Sequence, residues 1–204
     1  VKEIYFNSMD FDMKHFRDIV ADYKKRYREA ATKELRWFAI QSSLESAVSV
    51  AALAKGPSGK RLSHQRRIPE TVLLESRRRL LDVLPEIEAV TTFEQLHEVV
   101  QNRIGPIVGI GELTVYDTAL RIGARLRLEP TVVFMHAGTR DGAKKLGLDT
   151  ARPFIPASEL PREFHELQPH EMEDVLCLYK NNFKRGCLDA EVQPNCYREI
   201  PRSQ

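Results

Sequence analysis

All-α is the fold class this sequence predicts, and three observations predict it. Apolar and aromatic residues recur at three- and four-residue steps, at Phe16, Ile19, Val20, Tyr23 and Tyr27, with Lys and Arg on the opposite face. Helix-starting residues and Gly or Pro breakers then alternate along most of the chain. Only Thr131-Val-Val-Phe-Met135 is β-branched enough for a strand, and it reads equally as an extended linker. The expectation is about eight helices and at most one or two short strands.

The elements follow in order. The stripe of tyrosines and Phe16 makes a helix over 11–31, and Thr32-Lys33 restarts a second one through Ala54. Gly56-Pro57-Ser58-Gly59 breaks the chain. Pro69, a good first-turn residue, opens a helix running to about Leu84. Thr92 is an N-cap for a helix to Gln101, with Gln95 placed to complete a capping box. Glu112 to Leu128 is a further helix, stopped by Pro130. Gly142 to Leu146 is a short helix ended by Gly147. Pro153, Pro156 and Pro161 mark an irregular crossing, and Pro169 to Asn181 is the last helix. There is no internal repeat.

The 204 residues allow one helical domain, taken as 1–185 with a polar tail at 186–204. With 42% hydrophobic and 29% charged residues the chain is globular rather than disordered. Lys+Arg is 31 and Asp+Glu is 29, a net charge of +2. That excludes binding nucleic acid by bulk charge and leaves room for a local basic patch. No apolar run of membrane length is free of charges or serines, and no signal peptide opens the chain, so a cytoplasmic protein without a membrane partner is expected. Cys177, Cys187 and Cys196 form no C-x-x-C and no tight Cys/His pair. They read as reduced thiols, with no metal and no cofactor expected.

The most informative segment is 93–128. It reads as helix, then Ile107-Val108-Gly109-Ile110-Gly111, then helix. Two glycines spaced by one apolar residue allow a tight hairpin, with Ile110 pinning it to the core. The turn and the first turn of the next helix offer backbone N–H groups to a phosphate oxygen. Val108-Gly-Ile-Gly-Glu-Leu-Thr114, with Tyr116, Ala119 and Leu120 behind it, resembles a helix-hairpin-helix motif. Further on, Pro130–Met135 is extended and Lys145-Leu-Gly-Leu148 closes a helix. In this the segment resembles the helix-hairpin-helix DNA glycosylase superfamily, over 107–148 with motif content and over 44–148 more loosely.

The resemblance implies a helical fold, duplex DNA as partner, and excision of a modified base by base flipping and N-glycosidic hydrolysis. It departs at two positions. Leu113 stands where bifunctional members carry a lysine, so no Schiff-base lyase step is implied. His136 stands where the family has its catalytic aspartate, and Asp141 is five residues too late.

The candidate residues are weighed on their own chemistry. His136 is a general base or a reader of a flipped base, or a residue that bonds a nearby carbonyl. Glu45 is the only ionisable residue between Trp37 and Ala54. It is either a carboxylate of raised pKa or an exposed residue beside Ser42 and Ser49. Asp117, Arg121 and Arg125 share one helix face. They form a solvated stripe, or Asp117 holds Arg121 towards a substrate and supplies the missing carboxylate. Lys60, Arg61, Arg66 and Arg67, with His64 and Gln65 among them, form the densest basic loop. They contact phosphates or read base edges, or face solvent. Arg77 to Arg79 are a helix surface. Gly138-Thr-Arg140-Asp-Gly142-Ala-Lys144 fails the P-loop spacing but makes a generic anion nest, and Arg140 is counted among the DNA contacts.

The reading is therefore a DNA-binding protein of helix-hairpin-helix type, with Gly109, Gly111 and Thr114 on phosphate. Its sharper form is a monofunctional glycosylase using His136 with Asp117 or Glu45. One rival is a non-catalytic DNA-binding or scaffold protein keeping the fold. The other is an α/β protein binding a small anionic ligand near His136.

Overall fold

The structure, a computed structural model, describes residues 15–183. The expected start of the first helix at Phe11, the tail, Cys187 and Cys196 lie outside the described residues. The architecture is all-α, with one two-stranded sheet among the described residues. None of the described helices is long and apolar enough to cross a membrane. Where one domain over 1–185 is expected, the chain resolves into two compact units. One is the continuous stretch 29–131, the hairpin unit; the other combines 15–28 with 132–183, the split unit.

The hairpin unit is six helices: α2 (Glu29–Ala39), α3 (Leu44–Ala52), α4 (Glu70–Leu81), α5 (Leu84–Ala89), α6 (Phe93–Ile104) and α7 (Glu112–Leu126). Helix α7 is the hub, packed on α2, α3 and α6. Val115, Tyr116, Ala119 and Ile122 of α7 are buried, as are Phe38, Ala47, Val48, Ala51, Phe93, Leu96 and Val100 on the helices around it. Each large side chain so removed from water stabilises the fold by about 1.5–3 kcal/mol before entropy is counted. Small residues on α3 let it approach closely. At Gly123 a Cβ would stand 2.7 Å from the Leu128 carbonyl and 3.2 Å from the Phe93 ring, so only glycine fits there.

Local chemistry corrects several expected boundaries. The helix expected from Thr32 to Ala54 is two helices. Ser43 adopts an extended conformation and its Oγ accepts from the Ser46 N–H at 3.0 Å, which starts α3 afresh. The helix expected to Leu84 stops at Leu81, and Pro85, which has no N–H to continue it, sits in the first turn of α5. Thr92 caps α6 as expected. Gln95 Oε1, however, accepts from the N–H and the hydroxyl of Thr91, one residue earlier than a capping box requires.

The split unit begins with α1 (residues 15–23) and a π turn at Lys24–Arg28. It continues with β1 (Val132–Phe134), α8 (Ala137–Lys145), β2 (Phe154–Pro156), two 3₁₀ turns and α9 (Pro169–Leu178). The strands are antiparallel, with Val133 opposite Ile155. Phe16, Ile19, Val20 and Tyr23 of α1 pack with Val133, Ile155, Phe164, Val175 and Leu176 in one core. Polar groups at its edge are paired. Tyr23 donates to Asp174 at 2.7 Å, and Arg28 makes a two-pronged contact with Glu171 at 2.6 and 2.8 Å. Burial and the Asp174 carboxylate push the Tyr23 phenol far above its ordinary pKa.

Helix α8 starts five residues before the expected Gly142. Its glycines are there for contact rather than for a break. A Cβ on Gly142 would stand 2.1 Å from the Leu176 carbonyl of α9. Gly147, at φ +78°, ends the turn that follows, as expected.

Candidate nucleic-acid interface

Residues 105–111 connect α6 and α7 as a tight turn, stitched by Ile107 N–H to the Ile104 carbonyl and Ile110 N–H to the Ile107 carbonyl. Gly109 sits at φ +97°, a conformation that favours glycine, with its bare Cα towards Val72. The pin into the core is Ile107, which is buried, whereas Ile110 is only half-buried, contrary to expectation. Val108 stands at the tip with 92% of its surface exposed. Gly111 is the N-cap of α7, extended, with open space where a side chain would be. The start of α7 can thus be approached by a ligand, and its first-turn amides point that way.

Two features limit this end of the helix. Thr114, expected on phosphate, is buried, and its N–H donates to the Gly111 carbonyl at 2.9 Å. It belongs to the helix rather than to a ligand. Glu112 places an exposed carboxylate in the first turn, where it competes with any incoming phosphate for the same positive end.

The basic loop lies along the same helix. Gln65 is fully buried, and its Nε2 donates to Asp117 Oδ2 at 2.6 Å. His64, beside it, is exposed, with Nδ1 at 3.4 Å from the same oxygen. Arg121 reaches Asp117 and Gln65 through Nη2, both at 3.3 Å, and Glu34 of α2 through Nε at 3.4 Å. Its guanidinium also lies over the Phe38 ring.

Only 6% of the Arg121 side chain is exposed, so the expected solvated stripe is in fact a buried network. Arg125 makes no ion pair with a described residue and stands apart from it. Burial alone would raise the Asp117 pKa. The Arg121 charge and the bonds from His64 and Gln65 outweigh that and hold it below its usual value.

This network fixes the loop. Lys60, Arg66 and Arg67 are exposed around the anchored Gln65. Arg61 is spent on structure, its Nη1 donating to the Ile68 carbonyl at 2.6 Å. Past the loop, Val72 packs at Gly109. The segment 64–72 therefore runs from the second turn of α7 to the hairpin. Gln65 and Val72 thus tie the loop and the start of α4 to α7 and its hairpin, with Lys60, His64, Arg66 and Arg67 exposed on that loop.

The remaining expected site residues lie elsewhere. Glu45 is exposed in the first turn of α3 and favours the positive end of that helix rather than a buried role. His136 belongs to the split unit. It is buried, it is the N-cap of α8, and its Nε2 meets Glu173 Oε1. Thr139 Oγ1 lies 2.8 Å from that nitrogen and donates to the same carboxylate at 2.8 Å. Arg140 Nη1 donates to the Met135 carbonyl at 2.5 Å, in the split unit and not on the hairpin.

Glu34, Thr139 and Glu173 carry polar contacts that the sequence reading missed. Glu173 lies 37 residues from His136, and no local spacing signals that pairing. No family model, curated protein or solved structure matches this chain.

Proposed function

We propose that the hairpin unit binds the backbone of duplex DNA, through the α6–α7 turn and the loop 60–67. The carrying observation is the Gln65–Asp117 hydrogen bond. It anchors the exposed Lys60, Arg66 and Arg67 to the same helix whose N-terminus is left open at Gly111. Backbone amides at a helix start and side-chain cations on one stretch suit two neighbouring phosphates of one strand. The exposed Val108 suits apolar contact in a groove. The reading concerns binding. Of the two carboxylates in this unit expected for base excision, Glu45 is exposed at the start of α3, and Asp117 is held by three donors that form the loop's anchor, so freeing it for excision would dismantle the site.

The test is binding to a short duplex over a salt series. The wild type is expected to bind with strong salt dependence. Arg66→Ala/Arg67→Ala is expected to reduce the slope of log K against log salt by about 2. Gly111→Phe, whose Cβ enters open space, is expected to weaken binding by covering the start of α7. Glu112→Gln is expected to strengthen it several-fold by removing the competing charge. A folded wild-type chain that fails to bind duplex at low salt overturns the proposal.

A further inference from the structure

Val108 is the most exposed large apolar side chain among the described residues, at 92%, against 73% for Ile40 and under half for Leu74, Phe154 and Leu178. A single apolar group on a surface is ordinary. What sets Val108 apart is how it is held. Ile107, directly before it, is buried at the base of the turn. Gly109, directly after it, sits at φ +97° with its bare Cα towards Val72. The N–H groups of Ile107 and Ile110 close the turn on either side, at 2.9 and 3.0 Å. A β-branched side chain is also stiff at χ1. Val108 is thus a fixed knob on a rigid tip, and covering it costs little conformational freedom.

The tip is apolar throughout. From Gly105 to Gly111 no residue carries a polar side chain, so none can donate to or accept from a base edge. The polar and charged side chains His64, Lys60, Arg66 and Arg67 are exposed on the loop 60–67 instead. Val108 stands three residues before Gly111, which puts the knob at most about 11 Å along the chain from the start of α7. A major groove about 12 Å wide takes a whole helix, whereas a minor groove about 6 Å wide matches a tip whose one protruding group is a valine. Phosphates line the rims of that groove, where the amides at the start of α7 take them.

The floor of the minor groove differs between base pairs at one group. A·T shows the acceptors adenine N3 and thymine O2, with an adenine C–H between them. G·C adds the guanine N2 amino group, which projects into the groove as a donor. A valine laid over A·T meets a low floor with carbon at its middle. Over G·C it meets the amino group, which holds the knob away and loses water with no acceptor in its place.

We infer that Val108 is a specificity-determining residue that enters the minor groove and makes the hairpin unit favour A·T over G·C duplex. This rests on the duplex-binding reading above and adds a base preference to backbone contacts, which carry none by themselves.

The test measures binding of the full chain to three duplexes of equal length at one salt concentration: alternating A·T, alternating G·C and alternating inosine·cytosine. Inosine is guanosine without the N2 amino group. Its pair with cytosine keeps the major-groove face of G·C and takes the minor-groove face of A·T. The A·T and inosine·cytosine duplexes are expected to bind alike, and about ten-fold tighter than G·C. Val108→Ala is expected to bind all three alike, with an unchanged salt slope because no phosphate contact is removed. Val108→Thr keeps the shape and adds a hydroxyl that accepts from the amino group, and is expected to raise G·C binding several-fold.

Circular dichroism verifies that each variant is folded. Equal binding of the three duplexes by the wild type overturns the inference and leaves duplex binding standing. A preference for A·T that inosine·cytosine does not share also overturns it, since the amino group is then not what is sensed. A shared preference that Val108→Ala retains overturns the assignment to Val108. No binding to any duplex at low salt overturns the duplex-binding reading and this inference with it.

Discussion

The two units each bury a polar cluster, and they do so by opposite means. In the hairpin unit a permanent cation, Arg121, is held by Asp117, Gln65 and Glu34, with both charges of the main pair on one helix. In the split unit a single carboxylate, Glu173, gathers a histidine and a hydroxyl from another helix, with no Lys or Arg in the triad. The first cluster balances fixed charges and serves as an anchor for a surface loop. The second uses groups whose charge depends on protonation. Removing one partner of a buried ion pair is costly, because the other charge is left uncompensated.

The largest expected effect tests the first cluster. Arg121→Met removes the permanent cation beside Asp117 and is expected to cost about 3–5 kcal/mol in urea unfolding. Asp117→Leu/Arg121→Met is expected to cost less than that single change, because no lone charge stays buried. If the single variant is harmless, the network is ornament and the loop is anchored by other contacts.

Acid is expected to act next on the hairpin unit. Burial drives the His97 pKa in the hairpin unit down to about 4 from 6.5, against the nearby Glu94. Between those values the unfolded chain binds a proton that the folded chain refuses, so stability falls as pH drops from 6.5 to 4. Allowing for partial exposure, the loss is on the order of 2 kcal/mol. Asp117, whose folded pKa is depressed, adds stability above its unfolded value of 3.8 that is lost at still lower pH. His97→Gln is expected to flatten the upper part of that profile, measured as the urea midpoint against pH.

The smallest effect tests the second cluster. Glu173→Gln keeps an acceptor for the Thr139 hydroxyl and is expected to cost only about 1–2 kcal/mol, read by near-ultraviolet circular dichroism during unfolding. A loss as large as that of Arg121→Met would show that the two clusters are alike after all.

What was legible in the sequence follows the range of each interaction. The helical class, the caps at Thr92, the hairpin glycines and the Asp117–Arg121 spacing are local, and periodicity or turn chemistry reads them directly. The loop residues His64 and Gln65 were picked out for their basic surroundings. That Gln65 would be buried on Asp117 was not readable, because the two lie 52 residues apart. The break at Ser43 was missed because the apolar pattern of 44–52 continues the helical period, while one hydroxyl bond decides the boundary. Thr114, expected on phosphate as part of the hairpin motif, is turned inward by helix phase.

The split unit has a consequence for the order in which the chain can fold. Residues 15–28 and 132–183 share one core, but about a hundred residues separate them in the sequence. A ribosome adding roughly 5–20 residues per second needs several seconds to span that gap. Throughout it Phe16, Ile19, Val20 and Tyr23 wait for the rest of their core, while the helices of 29–131 have theirs within one continuous stretch. Biosynthesis thus leaves an apolar N-terminal stripe waiting, a stretch on which a chaperone would act before β1 is made.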